Sequence, residues 1–132
     1  MRALLDTHVL LEWFAAGPRL SAAHRRVIGK AAPESPLWVS DISLWEVAIL
    51  AGLGRIHLSL PVRTWLERAT AAPLVQRIGI SPAVAAEVAV LPPTFHRDPA
   101  DRIIVASARV LGATLLTRDQ RILDAGLVPT ID

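Results

Sequence analysis

The sequence predicts an α/β fold built on a mostly parallel sheet of four or five strands, and three observations carry that expectation. Short apolar runs recur along the chain, at Leu4-Leu5, Leu37-Trp38-Val39, Leu74-Val75 and Leu115-Leu116. Segments with helical spacing of apolar residues separate them. Those segments are long enough, on the order of a dozen residues, to cross over and return the next strand parallel to the last. Such a sheet is covered on both faces, and it binds ligands outside the carboxyl ends of its strands, where the winding direction changes.

Each element has its own local reason. Residues 2–5 read as a buried strand, followed by a helix over 7–15 that Gly17-Pro18 breaks. Ser21 can cap a helix reaching about residue 32. Residues 37–39 form a second strand, ahead of a helix over 41–51 that ends at Gly52. Pro61 suits the first position of a helix over 61–71. A third strand over 74–78 precedes a helix that Ser81-Pro82 opens and Pro92-Pro93 closes. Asp98-Pro99 starts a helix running to Leu111, where Gly112 stops it. A fourth strand over 114–117, a short helix over 120–125 and an edge strand over 128–131 complete the chain.

The totals exclude several classes of function. A chain of 132 residues is expected to form one domain, residues 1–132. It is 52% hydrophobic with a mean hydropathy of +0.42, yet no run approaches the roughly 18 apolar residues that span a bilayer. The start does not read as a signal peptide, since Arg2 and a short apolar run meet Asp6 at once. A cytoplasmic protein without a membrane role is therefore expected, and the surplus apolar surface suggests a face covered by a partner or a second copy. The absence of cysteine removes disulfides, thiolate zinc sites and a Cys nucleophile. Net charge is only +2, but Arg supplies all but one of the 14 cations. Arg is the better fork for phosphate, although a compositional bias explains the excess equally well.

The informative charges are four of the 12 acids. Asp6 directly follows the first strand, and Asp119 comes two residues after the fourth, so both fall at carboxyl ends. Glu46 lies in a helix with Ile42, Ile49 and Leu50 on its side, and Asp101 leads the stripe Ile104, Val105, Ala108. Unpaired carboxylates on apolar faces cost several kcal/mol or take up a proton. Each acid has a plainer reading: Asp6 as an N-cap, Asp101 as a helix-dipole charge, Glu46 as the partner of an Arg, Asp119 as a turn residue. Jointly they point to one shared pocket. Clustered carboxylates repel, and a hard divalent cation resolves that conflict. His8 and His96 lie near the site in sequence, but four scattered His make a poor zinc set.

Four segments carry a resemblance. They are Leu4-Leu5-Asp6-Thr7-His8; residues 40–49, SDISLWEVAI; residues 96–106, HRDPADRIIVA; and residues 115–119, LLTRD. In order and spacing the chain resembles the PIN-domain family, specifically the VapC-like toxins of toxin–antitoxin pairs, over nearly its whole length. The resemblance implies a three-layer α/β/α fold, Mg²⁺- or Mn²⁺-dependent endoribonuclease activity, homodimerisation and inhibition by a cognate antitoxin. It places the catalytic and metal-binding acids at Asp6, Glu46, Asp101 and Asp119, with Thr117 as the hydroxyl beside the last of them. Asp98, within the DPxDR signature, and Thr7 are possible supporting residues. Ala100, where this branch often carries an aromatic, and the charged Glu12 and Asp41 depart from the pattern.

The expected chemistry is hydrolysis of an RNA phosphodiester by an activated water, leaving a 5′-phosphate and a 3′-hydroxyl. Arg97, Arg102, Arg118 and Arg121 flank the acids and are weak candidates for RNA phosphate contacts, as is His96. Trp38 and Trp45 read as packing residues rather than base-stacking ones. DNA as substrate stays open. Two rivals remain. A haloacid-dehalogenase-type phosphatase would use Asp6 as nucleophile, but it needs a second Asp where this chain has His8. A non-catalytic PIN-like binding module is disfavoured because all four acids are present.

Overall fold

The computed structural model describes residues 1–132, with β1 at Ala3–Leu5, α1 at Thr7–Phe14, α2 at Ala22–Ile28, β2 at Leu37–Ser40, α3 at Asp41–Gly52 and α4 at Val62–Ala69. β3 at Val75–Ile78, α5 at Pro82–Val90, α6 at Pro99–Leu111, β4 at Thr114–Leu116, α7 at Gln120–Ala125 and β5 at Thr130–Ile131 follow. All five strands are parallel, in the order β3-β2-β1-β4-β5. The chain winds outward from β1 through β2 and β3, then returns to add β4 and β5 on the other side. The carboxyl ends of β1 and β4 therefore flank the point where the winding reverses.

β1 shows why the sheet must be covered twice. Ala3 and Leu5 enter one apolar cluster with Val9, Leu10, Val47 and Trp65, while Leu4 enters the other with Val84, Ile104, Val105 and Leu115. Helices α1 to α4 supply the first layer and α5 to α7 the second, which gives three layers, α/β/α. Phe14 meets the buried Trp65 edge-on at 5.0 Å between ring centres.

Most boundaries follow the sequence within a residue or two, and the departures have local causes. α2 stops at Ile28 instead of near residue 32, because Gly29 caps it and the next two amides bond three residues back, Lys30 to Val27 and Ala31 to Ile28. Pro61 is the N-cap of α4 and not its first residue, with an extended ψ of 144°. Thr117 lies just beyond β4, although its amide still bonds the Ile131 carbonyl. Trp38 packs against the second cluster as expected. Trp45 does not pack: it is 56% exposed, and with Ile49 and Leu53 it forms a bare apolar stripe along α3. α3 is apolar on nearly every side, so its spacing could not tell an inward face from an outward one.

Gly112 ends α6 in the left-handed region, at φ 63° and ψ 36°, with its amide on the Ala108 and Arg109 carbonyls. Gly112→Ala is expected to cost about 1 kcal/mol and lower Tm by about 3 °C, as read by thermal melting.

Candidate active site

Asp6 leaves β1 at its carboxyl end and turns the chain into α1. Its backbone amide bonds the Leu116 carbonyl of β4 at 3.0 Å, so the residue continues the sheet before it caps the helix. The Asp6 side chain is buried, and both oxygens are engaged. One accepts from the Thr7 amide at 2.7 Å and the other from the Thr117 hydroxyl at 2.6 Å. Thr117 in turn accepts from the Asp119 amide at 3.0 Å. One hydroxyl thereby locks the acid after β1 to the turn carrying the acid after β4.

The other acids arrive on helices. Asp101 sits in the first turn of α6, beneath the cap that Asp98 makes to the Ala100 and Asp101 amides at 2.9 and 3.4 Å. Glu46 lies on the second turn of α3 and is half-buried. The apolar surroundings expected for it are partial, since Ile42 and Leu50 are half-buried while Ile49 faces solvent. The Thr7 hydroxyl donates to Ser43 Oγ at 2.8 Å and also lies beside Glu46, with one proton for two neighbours. Ser43 was not legible as a site residue; its only signal is its place three residues before Glu46, on the same side of α3. Asp119 caps α7 through the Arg121 amide at 2.9 Å, and its carboxylate receives the Arg121 guanidinium at 3.1 and 3.3 Å.

Asp6, Asp98 and Asp119 all stand at helix starts and Asp101 follows within the first turn of α6, so helix N-termini soften the accumulated charge without cancelling it. Burial pushes the Asp101 carboxyl up to about 8, and the fields of Asp6, Asp98, Asp119 and Glu46 push the same way. Burial raises Asp6 against its two hydrogen bonds. Burial likewise raises Glu46, opposed by Thr7 and assisted by Asp6 and Asp98. Asp119 goes the other way: burial works against its charge, but the hydrogen bonds and charge of Arg121 outweigh it and hold the carboxyl low. The N-cap reading of Asp6 and the turn reading of Asp119 are thus compatible with membership of one cluster.

A hard divalent cation suits this donor set. The acids are oxygen ligands from four separate elements, each carboxylate keeps lone pairs beyond its hydrogen bonds, and Asp101 is forced toward neutrality in the cation's absence. Beside Asp6 and Asp119 opens a cavity of about 500 Å³, walled also by His8, Glu12, Arg19, His24 and Arg118.

The flanking cations divide by geometry. Arg97 is exposed and forms no ion pair. Arg118 lies at the cavity wall, bonded to the Arg19 carbonyl at 3.0 Å and 3.4 Å from Asp132. Arg102 turns inward, donating to the Phe95 and His96 carbonyls at 3.0 and 3.3 Å, so its donors face the chain. Arg121 is held by Asp119. His96, a marginal candidate in the sequence, stands 3.3 Å from Asp101 Oδ2.

Comparison with known proteins identifies the family. Residues 3–127 match the family description "PIN domain". The chain is 44% identical over 119 residues to Ribonuclease VapC22 of Mycobacterium tuberculosis, covering 90% of this chain and 88% of that protein. Its fold is similar to VapBC2 from Rickettsia felis, solved bound to a promoter DNA fragment, with a TM-score of 0.72 at 15% identity over 99% and 98% of the two chains. FitAcB from Neisseria gonorrhoeae is similar at a TM-score of 0.70 and 22% identity, over 98% and 96%. Family match and sequence identity agree, and the chain belongs to the PIN-domain family.

Proposed function

We propose that this protein is a Mg²⁺- or Mn²⁺-dependent endoribonuclease and the toxin of a toxin–antitoxin pair. The observation that carries the reading is the field at Asp101, where burial and four neighbouring acids hold its carboxyl near 8. A fold does not ordinarily assemble such repulsion at a strand switch point unless something positive belongs there. The relationship to Ribonuclease VapC22 supports the substrate class.

Asp6, Glu46 and Asp101 would hold the cation, with Asp119 completing the shell through water or holding a second ion. When bound, the cation would offset charge on the scissile phosphate and lower the pKa of an attacking water. The protein supplies orientation. Thr7 and Thr117 fix the Asp6 carboxylate, Asp98 secures the first turn of α6 and thereby Asp101, and Thr117 sets the Asp119 backbone. Arg118, at the wall of the cavity, and the exposed Arg97 would steady neighbouring phosphates. The cavity is of a size that takes a nucleotide.

No helix is long and apolar enough to cross a membrane, in keeping with a cytoplasmic setting. The solved complexes of similar fold support a protein antitoxin as partner. The bare stripe Trp45, Ile49, Leu53 would be covered by a second copy in a homodimer.

The test is incubation of total RNA with purified protein, with and without Mn²⁺, followed by end mapping. Cleavage that needs the ion and leaves 5′-phosphate and 3′-hydroxyl ends is expected. Full cleavage in excess chelator would overturn the reading.

A further inference from the structure

The acid cluster has one edge that is not made of oxygen. His96 Nε2 stands 3.3 Å from Asp101 Oδ2, yet it is sealed from solvent and has no hydrogen-bond partner. A buried ring nitrogen left in that state is costly, and the carboxylate beside it makes no hydrogen bond to it. One donor atom each from His96, Asp101 and Asp119 lies within 4.8 Å of the other two. Ligand atoms about 2.1 Å from an octahedral ion are about 3 Å apart on adjacent vertices and about 4.2 Å apart across it. The three donors stand close to that spacing, and a contraction of about 0.6 Å at most lets one cation share them.

The ring is held there by its surroundings. Arg102 fixes the loop by bonding the carbonyls of Phe95 and His96, and its guanidinium lies 5.8 Å from the centre of the Phe95 ring. The buried Phe95 meets the imidazole edge-on at 4.6 Å between ring centres. Asp119 is steadied by Arg121, whose amide and Nε both bond Oδ1 while one guanidinium nitrogen bonds Oδ2, so Oδ2 is the oxygen that keeps a lone pair to offer. A ligand set that is already oriented loses little freedom when an ion enters.

We infer that His96 is a nitrogen ligand, together with Asp101 and Asp119, for a divalent transition-metal ion, and that it biases the acid cluster toward Mn²⁺ over Mg²⁺. The inference rests on the reading of the acids as a cation site. It adds the donor that distinguishes the two ions, since imidazole suits transition metals and Mg²⁺ prefers oxygen and water.

Mn²⁺ alone is the probe. Pulsed electron paramagnetic resonance of the full chain with Mn²⁺ is expected to report coupling to a ¹⁴N nucleus. The coupling should change to the ¹⁵N pattern when histidine is ¹⁵N-labelled and vanish in His96→Gln. His8 also borders the cluster, so a second variant, His8→Gln, is expected to keep the coupling; its loss there would overturn the assignment to His96 even if His96→Gln folds poorly. Calorimetry is expected to give about tenfold weaker Mn²⁺ binding in His96→Gln, with Mg²⁺ binding changed less than twofold. Bound Mn²⁺ without nitrogen coupling, or equal losses for both ions, overturns the inference. RNA cleavage is scored separately. Nitrogen-ligated Mn²⁺ in a protein that cuts no RNA sinks the nuclease reading and leaves the ligand set standing; Mn²⁺-dependent cleavage without nitrogen coupling does the reverse.

Discussion

Asp6→Asn is expected to lower Mn²⁺-dependent RNA cleavage by about a thousandfold while leaving the protein folded. The geometry explains why the two effects separate. Asparagine has the same shape, its carbonyl oxygen can accept from the Thr7 amide, and its amide can donate to the Thr117 hydroxyl oxygen. What disappears is the negative charge, and with it the acid that spans β1 and the turn after β4. Because that charge also bears on Asp101 and Glu46, Tm in chelator should stay level or rise. Cleavage rates with Mn²⁺ and melting curves in chelator are the two measurements. An unfolded variant would mean that Asp6 holds the fold rather than an ion.

The second large effect concerns stability against pH. The Asp101 carboxyl is raised from 3.8 to about 8 in the folded protein. Between those limits the folded state keeps a proton that the unfolded chain releases, so rising pH favours unfolding throughout the window. The stability is whole below about pH 4, declines as pH climbs toward 8, and is level above. Asp101→Asn has no proton to lose there. Without metal, it should match wild type at pH 4 and exceed it in Tm by about 5 °C at pH 8.5, read by thermal melting in chelator. Saturating Mn²⁺ should erase the advantage, because the ion takes over the proton's task of offsetting the charge. A wild-type Tm that is flat from pH 4 to 8.5 in chelator would contradict the field described at Asp101.

The fold was legible because its signals are local and agree with one another. Caps at Ser21, Ser81 and Asp98, stops at Gly112, and strands too apolar to face water on either side all act within a few residues. The acids were legible as a set because two of them fall at strand ends and two lead or interrupt apolar stripes. What the sequence could not give is direction. Trp45 has the spacing of a packing residue and faces solvent, since α3 is apolar all round. Arg102 has the look of a phosphate contact and bonds its own loop, because the carbonyls of Phe95 and His96 need donors that only the folded loop brings within reach. The contact of His96 with Asp101 depends on how that loop folds back over the first turn of α6, and no periodicity encodes it.

The bond between Asp6 and Thr117 joins residues 111 positions apart, and β1 owes one of its two neighbours to β4. A chain growing on the ribosome therefore presents Asp6 long before Thr117 exists to bond it. At about 5–20 residues per second, the delay is on the order of ten seconds. Through that interval the acid cluster stays incomplete, because Thr117 and Asp119, and for most of it Asp101, have yet to be made.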